Sequence, residues 1–166
     1  MESTPSTTLE DLEGIRRRRH GHRTTPAADG MVRGVRARGY GVAVSEGARD
    51  RLRQACLRMP ETQERVSHGE PTWFAGGRKA FVMLADHHHD DRFGFWAAAP
   101  EGVQGRLVAE DPDRYFVPPY VGGRGWVGVR LDGPEVDWDR VDQIVQDAFR
   151  AVATKTLLAR LEEPGR

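Results

Sequence analysis

Cysteine is nearly missing from this sequence: Cys56 stands alone in 166 residues. No disulfide can close within the chain, so a disulfide-stapled exported scaffold is excluded. Lysine is also scarce. Lys79 and Lys155 are the exceptions among 25 basic residues, the rest being arginine. With the abundant Ala, Gly and Val, that bias reads as the mark of a GC-rich genome, and arginine content alone says little about function. No apolar run approaches the roughly 18 residues a membrane span requires. Residues 1–13 are polar and acidic, and no apolar stretch follows Arg16–Arg19, so a secretory signal is not expected either. Net charge is absent too, at zero overall. These absences together predict a cytoplasmic protein with no membrane partner.

What is present is unevenly spread. Residues 1–44 hold eight Arg against five acidic residues, 8 − 5 = +3, whereas 45–166 hold 17 basic against 20 acidic, 17 − 20 = −3. A domain that grips DNA mainly through phosphates is normally basic, because each neutralised phosphate releases counterions. Any such binding here requires a local patch. The first 44 residues are rich in Thr, Ser, Pro, Gly and Arg and show no sustained periodicity. Too little apolar surface exists there to offset the entropy of ordering, so a flexible, disordered N-terminal tail is expected over 1–44. The block Arg16–Arg23 has two readings, a nucleic-acid arm or localisation patch and a solvated tail; the solvated tail is the expectation.

From Ser45 the pattern changes. Ser45 suits an N-cap, and Ala48, Leu52, Ala55, Cys56 and Met59 form one apolar stripe, with Pro60 ending the helix. Thr72–Ala75, the Gly76-Gly77 turn and Arg78–Leu84 read as a hairpin, and Arg92–Trp96 returns as the next strand. A short helix is expected near Gln104–Ala109 and a short strand at Tyr115–Val117. Trp126–Leu131 alternates with period two and stops at Asp132-Gly133-Pro134. A helix from Trp138 to Ala153, capped by Asp137, buries Val141, Ile144, Val145, Ala148, Phe149 and Val152. A last helix is expected over Lys155–Leu161. The prediction is an α+β domain over 45–166, with a single antiparallel sheet of about five strands packed against flanking helices.

His68-Gly69-Glu70-Pro71-Thr72-Trp73, with Gly76-Gly77-Arg78-Lys79 behind it and Tyr120 through Leu131 later, resembles the MmcQ/YjbR family over about Ser45 to Leu161. The resemblance implies a compact antiparallel sheet with flanking helices, similar to the frataxin and double-wing arrangements. It also implies DNA binding as a functional expectation. A frataxin-type iron site is not expected, because the first helix carries Arg49, Arg51, Arg53 and Arg58 against Glu46 and Asp50.

Several constellations could carry chemistry. His87-His88-His89-Asp90-Asp91 has metal-ligand residue types, but consecutive turn residues point in different directions, and a solvated hairpin tip is expected. His68 and Glu70 supply a base and an acid, yet neither an orienting partner nor a pocket is legible, and a structural turn is the first reading. Cys56 lies on the apolar stripe and reads as core. The Gly122–Trp126 stretch precedes a strand rather than opening a helix, so it is no phosphate loop. No cofactor, metal or catalytic set is predicted. The leading expectation is a monomeric, non-enzymatic binding protein for nucleic acid, with Arg78, Lys79, Arg92, Arg124 and Arg130 as contacts on two basic wings. The alternative is a small-molecule or protein-partner module with a pocket formed by His68, Glu70, Trp73, Tyr120 and Trp126.

Overall fold

The computed structural model describes residues 33–87, 91–133 and 135–163, with side chains from residue 45 onward. The expected tail therefore lies outside the described residues as far as position 32, together with the Arg16–Arg23 block. The centre of the His87–Asp91 run, 88–90, lies outside them as well.

Helix α1 spans Arg33–Leu57, so residues 33–44 are helical where a tail was expected. Gly34, Gly39 and Gly41 each cost roughly 1 kcal/mol relative to Ala, which is why propensity reads this stretch as non-helical. It contains no proline, however, and extending an already anchored helix costs far less than nucleating one. The predicted stripe is in place: Ala48, Leu52, Ala55, Cys56 and, just past the helix, Met59 are all buried. Burial, helped by the nearby Glu64 charge, pushes the Cys56 thiol well above its ordinary pKa. It is an inert core residue.

Strands β1 (Thr62–Ser67), β2 (Glu70–Ala75), β3 (Lys79–Asp86), β4 (Phe93–Ala97), β5 (Tyr115–Phe116) and β6 (Val127–Arg130) form one antiparallel sheet in the order β1-β2-β3-β4-β6-β5. That is one strand more than about five. The extra strand, β1, carries Gln63, Glu64 and Arg65, and most of its residues are exposed. An edge strand that pairs on one side only needs no apolar alternation, and charge along it deters edge-to-edge association. Its turn is His68-Gly69, with φ of 53° and 86°. Two consecutive positive φ values are the requirement of a type I′ hairpin, whose twist matches that of the strands. His68-Gly69-Glu70 is thus a hairpin turn and strand start.

Helices α2 (Val103–Glu110), α3 (Trp138–Val152) and α4 (Lys155–Glu162) complete the order. The Asp137 side chain caps α3 by accepting from the Arg140 N–H, and Thr154 does the same for α4 through Leu157. α3 packs on β3 and β4, and α1 on α3 and β1. The buried faces meet in one core, where Phe81 and Phe149 are edge to face at 5.4 Å. A register shift between Trp73 and Phe74 bulges β3, so Phe81 and Val82 are both buried in that core. The bulge leaves Ala80 on the opposite face and adds local twist.

Candidate functional site

Register fixes which side chains share the face turned away from the core. Thr72, Met83, Trp96, Gly128 and Phe116 lie across one another on β2, β3, β4, β6 and β5. Two strand positions along, Ala85, Gly94 and Arg130 continue the row. Ala85, Gly94 and Gly128 are small and leave room beside Met83, Trp96 and Phe116. A Cβ at Gly128 would overlap the Phe116 ring, so this glycine is what lets Phe116 lie down on the sheet.

A groove of about 610 Å³ runs over this face. Its floor is Ala80, Met83, Ala85 and Trp96; one wall is Ser67, His68 and Glu70, and the other is Tyr120, Val121, Arg124 and Trp126. The volume suits one drug-sized molecule. By contrast, a recess between α2 and α3 has only about 40 Å³, room for ordered water.

The second wall is a loop braced from below. Gln104 on α2 donates from its Nε2 to the carbonyls of Gly122 (2.8 Å) and Trp126 (2.6 Å). Those two contacts bracket the 3₁₀ turn Gly122–Arg124 and fix where Arg124 starts. Val121 and Gly122 close the preceding turn onto the carbonyls of Pro119 and Pro118. At its apex, Tyr120 has φ 63° and is 80% exposed. A bulky residue in the left-handed region costs about 1–3 kcal/mol, and such strain concentrates at binding sites. Both walls therefore hold a ring at the rim on a positive-φ residue, His68 on one and Tyr120 on the other.

The face is rich in arginine. Arg65 lies 4.0 Å over the Phe74 ring and Arg92 lies 4.5 Å over Phe116. Arg130 binds Asp132 through two contacts, at 2.9 and 3.1 Å. Burial acts to raise the Asp132 carboxyl, but the Arg130 hydrogen bond and charge, with backbone donors from Asp132 and Phe93, hold it below its ordinary value. Arg124 is exposed, and no ion pair engages it among the described residues.

Of the five residues expected to form a pocket, His68, Glu70, Tyr120 and Trp126 line the groove. Trp73 does not: it has 0% exposure and lies in the core on the helix side of β2, because it is one residue out of phase with Glu70 and Thr72. Of the five expected nucleic-acid contacts, only Arg124 is in the groove. Arg92 and Arg130 are at one end of the same face. Arg78 and Lys79 sit at the opposite end of the sheet, beside Thr154 and Arg160 of the C-terminal region. The fold thus spreads the expected contacts over both ends of the sheet. Met83, Trp96 and Gln104 had no place in the sequence-based sites. Trp96 carried a signal, since it alternates with the core residues Phe95 and Ala97, whereas nothing local marks Gln104. Among the described residues no group of three His, Cys, Asp or Glu can hold a metal ion. His87 hydrogen-bonds Asp86 at 2.6 Å.

The YjbR family model matches residues 57–151, more than half of the chain. The chain belongs to the YjbR family. Neither the curated proteins nor the solved structures give a match. The YjbR segment takes in all six strands, both groove walls and α2, and it excludes α4 and nearly all of α1. The groove is therefore built entirely within the YjbR part of the molecule. No helix among the described residues is long and apolar enough to cross a membrane.

Proposed function

We propose that this YjbR domain is a binding module whose ligand is a small molecule held in the groove between the His68-Gly69 turn and the Tyr120–Trp126 loop. The observation that carries this reading is the pairing of a drug-sized groove with rims strained on both sides, braced by Gln104. His68 and Glu70 border the same groove, as an acid–base pair would require. Catalysis also needs a group that orients the imidazole, and no hydrogen bond to His68 is present among the described residues. Binding is the better reading. Amide shifts recorded during a small-molecule fragment screen test it. Perturbations should centre on residues 67–70, 83, 96 and 120–126, and hits confined to other surfaces would remove the proposal.

Nucleic acid is the second reading, favoured by the arginines that lie over Phe74 and Phe116 on the same open face. Rings and guanidinium groups on one sheet face suit a single strand stacked base by base. A salt titration with a single-stranded oligonucleotide distinguishes the readings. Absence of binding even in dilute buffer would eliminate the polymer and leave the groove untouched.

A further inference from the structure

We propose that a hollow of about 370 Å³ between the tip of the β2–β3 hairpin and α4 is a second binding site, and that its ligand is a phosphate monoester. The proposal is independent of the groove, which lies on the other face of the sheet.

Three segments of chain build the hollow. The hairpin tip is Gly76-Gly77, with φ of 56° and 67°, the two left-handed residues of a tight turn. Arg78 and Lys79 follow at once. Lys79 lies across from the buried Ala75, which puts it on the helix side of the sheet. α4 is pressed against the tip, since a Cβ on Gly76 would come to 3.3 Å from Leu157 Cδ1. The third segment is Glu61, itself at φ 50°. Its carbonyl accepts from the Gly76 N–H at 3.2 Å, and its carboxylate pairs with Arg160 of α4. Glu61 thereby ties the tip to the helix and holds the Arg160 guanidinium at the rim, as a positioning residue. Ala75, Val152 and Leu157 give the hollow an apolar floor, with Thr154 and Thr156 at its border. The Thr154 Oγ1 accepts from the Leu157 N–H at 3.4 Å, which leaves its O–H to donate. The YjbR match ends at residue 151, so α4 completes this site from outside the matched segment.

Charge decides the ligand. Elsewhere Arg49, Arg53 and Arg58 meet carboxylates, and Arg51 and Arg65 lie over rings. Arg78 and Lys79 have neither an ion pair nor a ring contact among the described residues. With Arg160 they place three cations around one hollow against the carboxylate of Glu61, 3 − 1 = +2. That patch stands on a region, 45–166, whose charges sum to −3. Like charges brought together repel until an anion enters. A phosphate monoester carries about −1.5 to −2 near neutral pH and offers three strong acceptor oxygens. It answers both Arg78 and Lys79, one through a planar fork and the other as a point charge. A carboxylate or a phosphodiester brings a single charge and answers one of them. The volume is near the lower end of the roughly 300–1,000 Å³ usual for ligand sites, so the body of the ester is compact.

The test uses the full chain and three probes with one ring: phenyl phosphate, its monoanionic diester methyl phenyl phosphate, and phenol. Affinity is read by calorimetry in dilute salt, above the second phosphate pKa of about 6. Phenyl phosphate should bind about tenfold tighter than the diester, the size of one charge-assisted contact, and phenol should bind least. Arg78→Gln and Lys79→Gln should each weaken phenyl phosphate by about tenfold. Arg106→Gln removes the same charge from α2 and should change nothing. Amide shifts on adding phenyl phosphate should centre on residues 75–79 and 154–160. Equal affinity for monoester and diester, affinity that survives both substitutions, or shifts confined to the groove would each overturn the proposal. So would silence at millimolar phenyl phosphate, and in every such case the fragment screen still decides the groove separately. A short oligothymidylate that binds tighter than phenyl phosphate, and loses that binding in Arg78→Gln, would make the patch a nucleic-acid contact instead. Arg78, Lys79 and Arg106 are exposed, so unchanged thermal melts will show that the variants fold.

Discussion

At the scale of single residues, the backbone carries as much information as the side chains. Tyr120 is bulky, exposed and left-handed at φ 63°, so its conformation costs free energy that glycine would not pay. Tyr120→Gly should raise stability by about 1 kcal/mol in urea denaturation while weakening every groove ligand. A variant that loses stability instead would show that the tyrosine is held for packing. Asp132 gives a prediction in pH. Its carboxyl is lowered from the ordinary value of 3.8 by Arg130 and backbone donors, against the opposing effect of burial. A lowered folded value means the contribution is fully present above the ordinary carboxylate range. It is lost as pH falls through the folded value. Thermal melts of Asp132→Asn across pH 2–6 should accordingly show a shallower acid limb than the parent. The sequence alone nominated His68, Glu70, Tyr120 and Trp126, because rings and charges beside Gly and Pro stand out. It placed Trp73 with the pocket, whereas alternation along β2 puts that ring on the core face, one residue out of phase with Glu70 and Thr72.

At the scale of elements, local rules explain the helices better than the strands. The α3 stripe and its Asp137 cap follow from period and capping chemistry, and both are present. β1 was illegible because an edge strand whose middle residues, Gln63, Glu64 and Arg65, are polar and exposed looks like a loop. The groove's second wall has no regular element beyond the Gly122–Arg124 turn, and its position depends on α2. Gln104→Ala removes two hydrogen bonds and leaves the Gly122 and Trp126 carbonyls without that donor. A loss of about 2 kcal/mol is expected. Amide exchange should accelerate over residues 118–126 far more than in β3 or β4. Uniform acceleration would mean that Gln104 supports the whole fold and not this wall.

At the scale of the molecule, one core joins β2–β6 to α1 and α3, with Phe149 against Phe81 inside it, and leaves only the edge strand β1 without a core residue. Phe149→Ala should cost about 3–5 kcal/mol. Circular dichroism and tryptophan fluorescence should lose their signals together, because the groove floor and the core are two faces of the same sheet. Separate transitions would indicate that the groove half melts independently.

The amino-acid sequence by itself determined the α+β class, the helix faces, the Gly76-Gly77 hairpin and the family resemblance. Those depend on short-range periods and on backbone preferences that each segment carries alone. Tertiary structure decided the sixth strand, the burial of Trp73, the separation of Arg78 and Lys79 from Arg92 and Arg130, and the bracing of Arg124 by Gln104. Each of these depends on which segments pair and in what register. A register is a property of two segments at once, and a shift of one residue exchanges the two faces of a strand.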